Sequence, residues 1–133
     1  MTFTPAAKKT IADFLSDTGT KPEDYDAVFT GDLGAVGSDL LYELMLKEEG
    51  VDLGSVHRDC GLMIYDRATQ DVHSGGSGCG CSGSVMCAKI LPEIKSHKYK
   101  NVLFVATGAL MSLTSSQQGL SIPAVAHAVE IRI

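Results

Sequence analysis

The sequence predicts a layered α/β fold in which helices pack against a mixed sheet, and three observations lead to this prediction. Two short apolar runs, 26–30 and 102–106, have the character of buried strands. Stretches with apolar residues at helical spacing surround them. The last segment alternates apolar and charged residues, as a strand with one solvated face does. Helices that alternate with buried strands are typical of α/β domains.

The amino-terminal part of the chain predicts a helix followed by a buried strand. Thr4 is expected to be the N-cap and Pro5 the first helical residue, because threonine caps and early prolines mark helix starts. Apolar residues then recur at helical spacing until Gly19. The run 26–30 is partly β-branched and predicts a strand that ends at Gly31.

The middle of the chain predicts a second helix and then a segment of ambiguous type. An apolar stripe predicts that the helix begins near Ser38 or Asp39 and ends at Gly50. The short apolar run 61–65 fits either a strand or a short buried helix, and we favour the strand.

A third helix, a strand and a loop are predicted next. The helix is expected to begin near Gly80, to bury Cys87 on its core face and to be kinked or shortened at Pro92. The run 102–106 predicts a fully buried strand. The polar stretch from Ser112 to Ser121 is expected to be a mobile loop.

The last segment predicts a strand that buries one face. His127 has the same parity as the apolar residues of this segment, so we expect a core histidine with a backbone partner. The apolar face consists of Val129, Ile131 and Ile133, and the solvated face carries Glu130 and Arg132.

Composition predicts a single domain, residues 1–133, and argues against several partners. The net charge of −5 and the pI near 5.2 disfavour binding to nucleic acid or to anionic lipid. No apolar run approaches the ~20 residues that span a bilayer, and the amino terminus lacks a basic segment followed by an apolar one. The chain is therefore expected to be soluble and intracellular.

The candidate site lies where ligands gather in open α/β sheets, beyond the carboxyl ends of the strands. Asp32 follows the first buried strand, and the glycine-rich loop from His73 to Ser84 opens the third helix. Backbone amides converging at a helix start suit a carboxylate or a phosphate. The loop matches neither standard phosphate-binding motif. Close packing of helix and sheet explains its glycines equally well.

The four cysteines admit two further interpretations. His57 and Cys60 with Cys79 and Cys81 could form a zinc site, but only one of the two spacings is usual, so no metal is predicted. A reactive Cys79 or Cys81 is a second hypothesis, since a helix start lowers the pKa of a thiol. No adjacent base supports it, and no cofactor is predicted.

At this point the sequence resembles a known family, the carboxyl-terminal half of the stage V sporulation protein AD family, from about Thr4 to Ile133. The resemblance implies one half of a thiolase-like fold, without the first strand of that half. It also implies a non-catalytic role in handling dipicolinic acid for its uptake into the forespore. The segments that carry the resemblance are 25–33, 46–51, 59–65, 75–79 and 105–110.

The resemblance also bears on catalysis and on the site. Thiolase-like condensing enzymes use a cysteine of the first half with two groups of the second half, often His/His or His/Asn. The similar positions here hold Gly31-Asp32 and Cys79, which offer no imidazole or amide side chain to an oxyanion. No catalytic residues are therefore predicted. The candidate ligand-binding residues are Asp32, His73, Gly78, Cys79, Gly80 and Ser82.

Partners and location follow from the same resemblance. The implied ligand is dipicolinic acid, either as the free acid or as its calcium chelate. The implied location is the forespore or spore, where partner proteins would hold the chain at the inner membrane. Because the first half is absent, an apolar face or sheet edge should be exposed. We therefore expect self-association, or docking to a first-half chain or to other proteins of the sporulation apparatus.

Two alternatives remain beside the dipicolinate-binding hypothesis. The first is a thiolase-like acyltransferase or thioester hydrolase that uses Cys79 or Cys81 as its nucleophile. The second is a structural subunit that completes a sheet in a larger assembly.

Overall fold

Four strands form one mixed sheet in the order β2-β1-β3-β4, in a computed structural model that describes residues 3–109, 117–119, 121 and 123–133. Strand β1 runs parallel to β2 and β3, and β4 is antiparallel to β3. The strands are β1 (Ala27–Thr30), β2 (His57–Asp59), β3 (Asn101–Ala109) and β4 (Ala124–Arg132). The helices are α1 (Thr4–Thr18), α2 (Gly34–Leu44), α3 (Cys60–Met63), α4 (Cys81–Val85) and α5 (Leu91–Lys95).

Helices cover both faces of this sheet, so successive residues of β1 are buried on opposite sides. Val28 packs in one core cluster with residues of α1 and α2. Phe29 is fully buried in a second cluster with residues of α4 and α5. All four residues of β1 are buried, which explains the continuous apolar run and confirms the predicted layered α/β fold.

Helix α1 begins at Thr4, one residue earlier than a threonine N-cap would require. Phe3 occupies the N-cap position, so the predicted role of Thr4 as a cap is wrong. The buried Thr4 hydroxyl instead donates a hydrogen bond to the Gly37 carbonyl at 3.1 Å and ties α1 to α2. Pro5 lies in the first turn and Gly19 ends the helix with a left-handed backbone, both as predicted.

Helix α2 begins at Gly34, before the predicted start near Ser38 or Asp39. The reason is a cap supplied from a distant part of the chain. The carboxylate of Asp59 accepts the backbone N–H groups of Leu33 at 2.9 Å and Gly34 at 3.0 Å. Local sequence patterns do not contain this contact.

The run 61–65 is not a strand, because α3 occupies most of it. The strand in this region is β2, three residues long and directly before α3. After α4, a π-helical turn (Met86–Ile90) leads into α5. Pro92 has no N–H to donate, so the helical path widens before it but is not shortened there. Cys87 is exposed, so its predicted burial is wrong.

Strand β4 alternates as predicted, but the face that packs under α1 is the opposite of the predicted apolar face. Ala126 and Ala128 pack against the cluster that contains α1. On the other face, Val129 is 55% exposed and Ile133 is 58% exposed, whereas Ile131 between them packs against the cluster that contains Phe29. His127 lies on the same outer face and is exposed, which corrects the predicted core histidine. Small alanines allow α1 to approach the strand closely.

Two further predictions concern the loop after β3 and the absence of a membrane-spanning helix. Most of the predicted loop from Ser112 to Ser121 lies outside the described residues. Within the described ranges, none of the helices has the length and apolar character needed to cross a bilayer.

Candidate functional site

Asp32 lies at the centre of the candidate site, in the turn between β1 and α2. Its Oδ1 accepts a hydrogen bond from the Thr107 hydroxyl at 3.0 Å. Its Oδ2 accepts from the Gly78 backbone N–H at 3.0 Å and from the Ser77 hydroxyl at 3.2 Å. One carboxylate therefore joins the turn after β1, the glycine-rich loop and the end of β3.

An open cavity of about 450 Å³ adjoins this carboxylate. It lies at the carboxyl end of β1 and near the end of β3, where the sheet topology places ligand sites in α/β proteins. Its volume suits a small molecule. The lining residues are Phe3, Asp32, Ser77, Gly78, Cys79, Thr107, Gly108 and Ala109.

The first glycines of the loop serve close packing. The Gly76 N–H donates to the Gly61 carbonyl at 2.6 Å. A β carbon on Gly75 would lie 2.4 Å from the Gly61 carbonyl oxygen, and one on Gly76 would lie 2.4 Å from the Ile64 side chain. No side chain fits at either position. The packing interpretation therefore holds for this part of the loop.

The later glycines of the loop are open. A β carbon on Gly78, Gly80 or Gly83 would have no neighbouring atom within 4 Å. Gly78 has φ of +107°, a backbone conformation that glycine adopts readily, and its N–H is bound by Asp32. Among the described residues, the backbone N–H groups of Cys79 and Gly80 have no acceptor. This part of the loop offers free donors beside the cavity.

The structure brings some of the predicted site residues together and leaves others apart. Asp32, Gly78 and Cys79 line the cavity, and Gly80 directly precedes α4. Ser82 lies in α4 close to the turn after β1, since a β carbon on Gly31 would be 3.9 Å from its Cβ.

His73 lies apart from this group. Its side chain is 90% exposed and is not among those that line the cavity. The backbone of His73 adopts the left-handed conformation, with φ of 50°. The glycine-rich sequence on its carboxyl side gave no indication that the loop turns the histidine outward.

Five residues that line the cavity were not among the predicted site residues: Phe3, Ser77, Thr107, Gly108 and Ala109. Thr107 directly follows the buried run 102–106, so the rule that sites lie beyond strand ends could have identified it. Phe3 precedes α1, and nothing in the local sequence indicates that it reaches the cavity.

The cysteines differ sharply in environment. Cys60 is fully buried, and burial raises the pKa of its thiol to about 12. Cys81 is 5% exposed, and burial together with the nearby Asp32 and Asp59 carboxylates raises its pKa. Cys79 is exposed at the cavity. A raised pKa disfavours the thiolate of Cys60 and Cys81, and of the two exposed cysteines it is Cys79, not Cys87, that lines the cavity.

The hypothetical zinc ligands do not assemble. Both ring nitrogens of His57 are within hydrogen-bond distance of hydroxyl groups, Nε2 of Thr30 at 2.8 Å and Nδ1 of Tyr42 at 2.7 Å. Within the described ranges, no three His, Cys, Asp or Glu side chains are grouped so that they could hold a metal ion.

Comparison with known proteins assigns the family. The model of the family "Stage V sporulation protein AD" matches residues 1–132. Stage V sporulation protein AD of Bacillus subtilis (strain 168) is 45% identical over 125 residues, which cover 94% of this chain and 36% of that protein. The chain thus spans about a third of the length of this relative. On both grounds, the chain belongs to the stage V sporulation protein AD family.

Proposed function

We propose that the chain binds dipicolinic acid, a small aromatic dicarboxylate, and takes part in its handling for uptake into the forespore. The observation that carries the proposal is a pair of N–H groups without an acceptor among the described residues, that of Cys79, which lines a cavity of about 450 Å³, and that of the adjacent Gly80. Backbone donors of this kind suit a carboxylate. Membership of a sporulation protein family supports the same ligand class.

The charge of Asp32 favours one form of this ligand. Its carboxylate lines the cavity and would repel a free dianion. A calcium chelate of dipicolinate carries the divalent cation that offsets this repulsion, because calcium prefers carboxylate oxygens. We therefore propose that the chelate binds more tightly than the free acid.

The proposed role is non-catalytic. The described residues that line the cavity include no histidine, asparagine or glutamine side chain that could stabilise a thioester oxyanion. Cys81 is buried, and its thiol lies 3.9 Å from the Gly31 carbonyl oxygen, to which it donates. Cys79 has cavity access, but the described lining residues offer it as a base only the Asp32 carboxylate, which already accepts three hydrogen bonds. This arrangement supports binding rather than acyl transfer.

Calorimetry and thermal shift with dipicolinate, with and without calcium, test the proposal. Benzene-1,3-dicarboxylate is the matched control ligand, since it has the two carboxylates but no ring nitrogen to complete a chelate. Heat and stabilisation with calcium dipicolinate are expected. No heat and no thermal shift with any form of dipicolinate would refute the proposal.

A matched pair of variants tests the location of binding. Gly80→Leu should abolish binding, because the side chain would cover the free donors, and a β carbon meets no atom within 4 Å. Gly83→Leu is the control, since Gly83 is equally open but lies inside α4, away from the N–H groups of Cys79 and Gly80 in sequence. Equal loss in both variants, or in neither, would place binding elsewhere.

A second role is favoured by the outer face of β4. Val125, Val129 and Ile133 are each at least 44% exposed, and β4 is an edge strand. We propose that this face packs against a polypeptide carrying the remainder of the family sequence, since the chain covers only 36% of its relative. Such a partner would make the chain a subunit that completes a larger sheet assembly, peripheral to the spore inner membrane.

Light scattering with size separation distinguishes the partners. A complex with a co-expressed first-half chain is the expected result, and Val129→Glu should weaken it. A dimer of this chain alone would instead assign the face to self-association. A chain that stays monomeric and does not bind the first-half chain would refute the docking proposal.

A further inference from the structure

A buried chain of four polar side chains runs beneath the turn that carries Asp32. Its members are Thr30 at the end of β1, Tyr42 in α2, and His57 and Asp59 in β2. Thr30, His57 and Asp59 are each no more than 3% exposed. Burying this many polar groups close together lowers the stability of the fold unless each one has a hydrogen-bond partner.

The hydrogen-bond partners fix the direction of every bond in the chain. A carboxylate only accepts, so the Thr30 hydroxyl donates its single proton to Asp59 Oδ1 at 2.5 Å. Thr30 must then accept from His57 Nε2 at 2.8 Å, which places the ring proton on Nε2. Nδ1 is left as an acceptor, and the Tyr42 hydroxyl donates to it at 2.7 Å. The edge of the Tyr42 ring meets the His57 ring at 82°.

The chain ends at the backbone on both sides of Asp32. Thr30 lies two residues before it, and Asp59 accepts the N–H groups of Leu33 and Gly34 just after it. Two anchors that bracket one residue leave its backbone little freedom. The carboxylate of Asp32 is thereby aimed at Gly78 and Thr107, which it holds at 3.0 Å each.

We infer that His57 and Tyr42 are positioning residues of the Asp32 cavity, acting through Thr30 and Asp59. They touch no ligand. Their role is to hold a single arrangement of donors and acceptors that fixes the turn and, through Asp32, the open part of the glycine-rich loop. The importance of this role for binding rests on the proposed function, but the positioning itself does not.

Residue-specific amide hydrogen exchange on the full chain tests the inference without any ligand. Tyr42→Phe should accelerate exchange of the Leu33, Gly34 and Gly78 amides about fivefold to tenfold, because it leaves His57 Nδ1 unpaired. His57→Leu should accelerate it further, and His57→Gln should restore part of the protection by returning a donor to Thr30. Amides of Val102 and Leu103 report global opening and serve as the internal reference.

Tyr25→Phe is the matched control. Tyr25 is 3% exposed and its hydroxyl pairs with that of Thr20, outside this chain of residues. Exchange at Gly78 in this variant should equal that of the native chain once normalised to Val102. Equal exchange at Gly78 in Tyr42→Phe and Tyr25→Phe would overturn the inference.

A spectroscopic readout on the unmodified chain covers the case in which a variant does not fold. Nitrogen-15 shifts of the His57 ring at neutral pH should show a neutral ring protonated at Nε2. The opposite tautomer or a charged ring would overturn the assigned bond directions. Neither experiment uses dipicolinate, so failure of the positioning role and failure of the proposed function are distinguishable.

Discussion

Gly61 and Gly76 pack backbone against backbone. The Gly76 N–H donates to the Gly61 carbonyl at 2.6 Å, and a β carbon on Gly61 would lie 2.5 Å from the Gly76 carbonyl oxygen. The same β carbon would lie 2.9 Å from the Asp59 carboxylate. This contact fixes the glycine-rich loop against α3 and beside the buried polar residues beneath Asp32.

Replacement of Gly61 by alanine should therefore destabilise the protein strongly. Its methyl group would meet backbone atoms that cannot move alone, so we expect a loss of about 2–3 kcal/mol in the free energy of unfolding. Chemical denaturation measures this quantity. Gly83→Ala is the control, because the added methyl meets no atom within 4 Å and lies in a helix. A Gly61→Ala chain as stable as Gly83→Ala would contradict the described packing.

Acid should destabilise the protein through His57. Burial, with Arg58 nearby, lowers the pKa of His57 from 6.5 to about 4. The unfolded chain then binds a proton between pH 6.5 and 4 that the folded chain does not, so stability is full above pH 6.5 and falls toward pH 4. The loss from this group approaches about 3 kcal/mol.

Denaturation at pH 7, 5.5 and 4.5 checks this dependence. The control is His57→Gln, which does not titrate at this position and should remove the corresponding part of the slope. A native chain and a His57→Gln chain with parallel stability profiles would show that His57 does not cause the loss.

Thiol labelling should divide the cysteines into two pairs. Cys79 and Cys87 are exposed and should be alkylated in the native protein, whereas Cys60 and Cys81 should be labelled only after unfolding. Mass spectrometry after brief treatment at neutral pH identifies the labelled peptides. Native labelling of Cys81 as fast as that of Cys87 would contradict its burial and would support the enzyme hypothesis.

Substitutions in β4 should reveal which face is buried. Val129→Thr should change the free energy of unfolding by less than about 0.5 kcal/mol, because Val129 is 55% exposed. Ala128→Asp should cost about 2 kcal/mol or more, since it places a charge against the core cluster under α1. Thermal unfolding compares the two variants. A larger loss for Val129→Thr would restore the orientation predicted from the sequence.

The sequence predicted the parts of the fold that local patterns encode. The alternation of helices with the runs 26–30 and 102–106 was sufficient for the layered α/β fold, because strands packed on both faces are continuously apolar. The run 102–106 is not fully buried as predicted, since Phe104 and Ala106 are half-buried. Gly19 ends α1, and Gly50 ends the π-helical turn Met45–Glu49 that continues α2, both as predicted, since both adopt the left-handed backbone that glycine favours.

The incorrect predictions depended on contacts between distant segments. The start of α2 is set by Asp59, 25 residues away from Gly34, so no local cap signal marks it. The orientation of β4 is set by α1, which selects the small Ala126 and Ala128 rather than the larger Val129. The sequence also placed Asp32 and Cys79 in one site but gave no indication of the polar residues beneath it.

The carboxylate of Asp32 connects parts of the chain that are 46 and 75 residues apart. A cavity assembled in this way exists only while the whole sheet is folded. Any ligand that occupies it must therefore raise the free energy of unfolding by mass action, in proportion to the logarithm of its concentration above the dissociation constant. A family member that binds such a ligand would become more resistant to heat as its cavity is occupied.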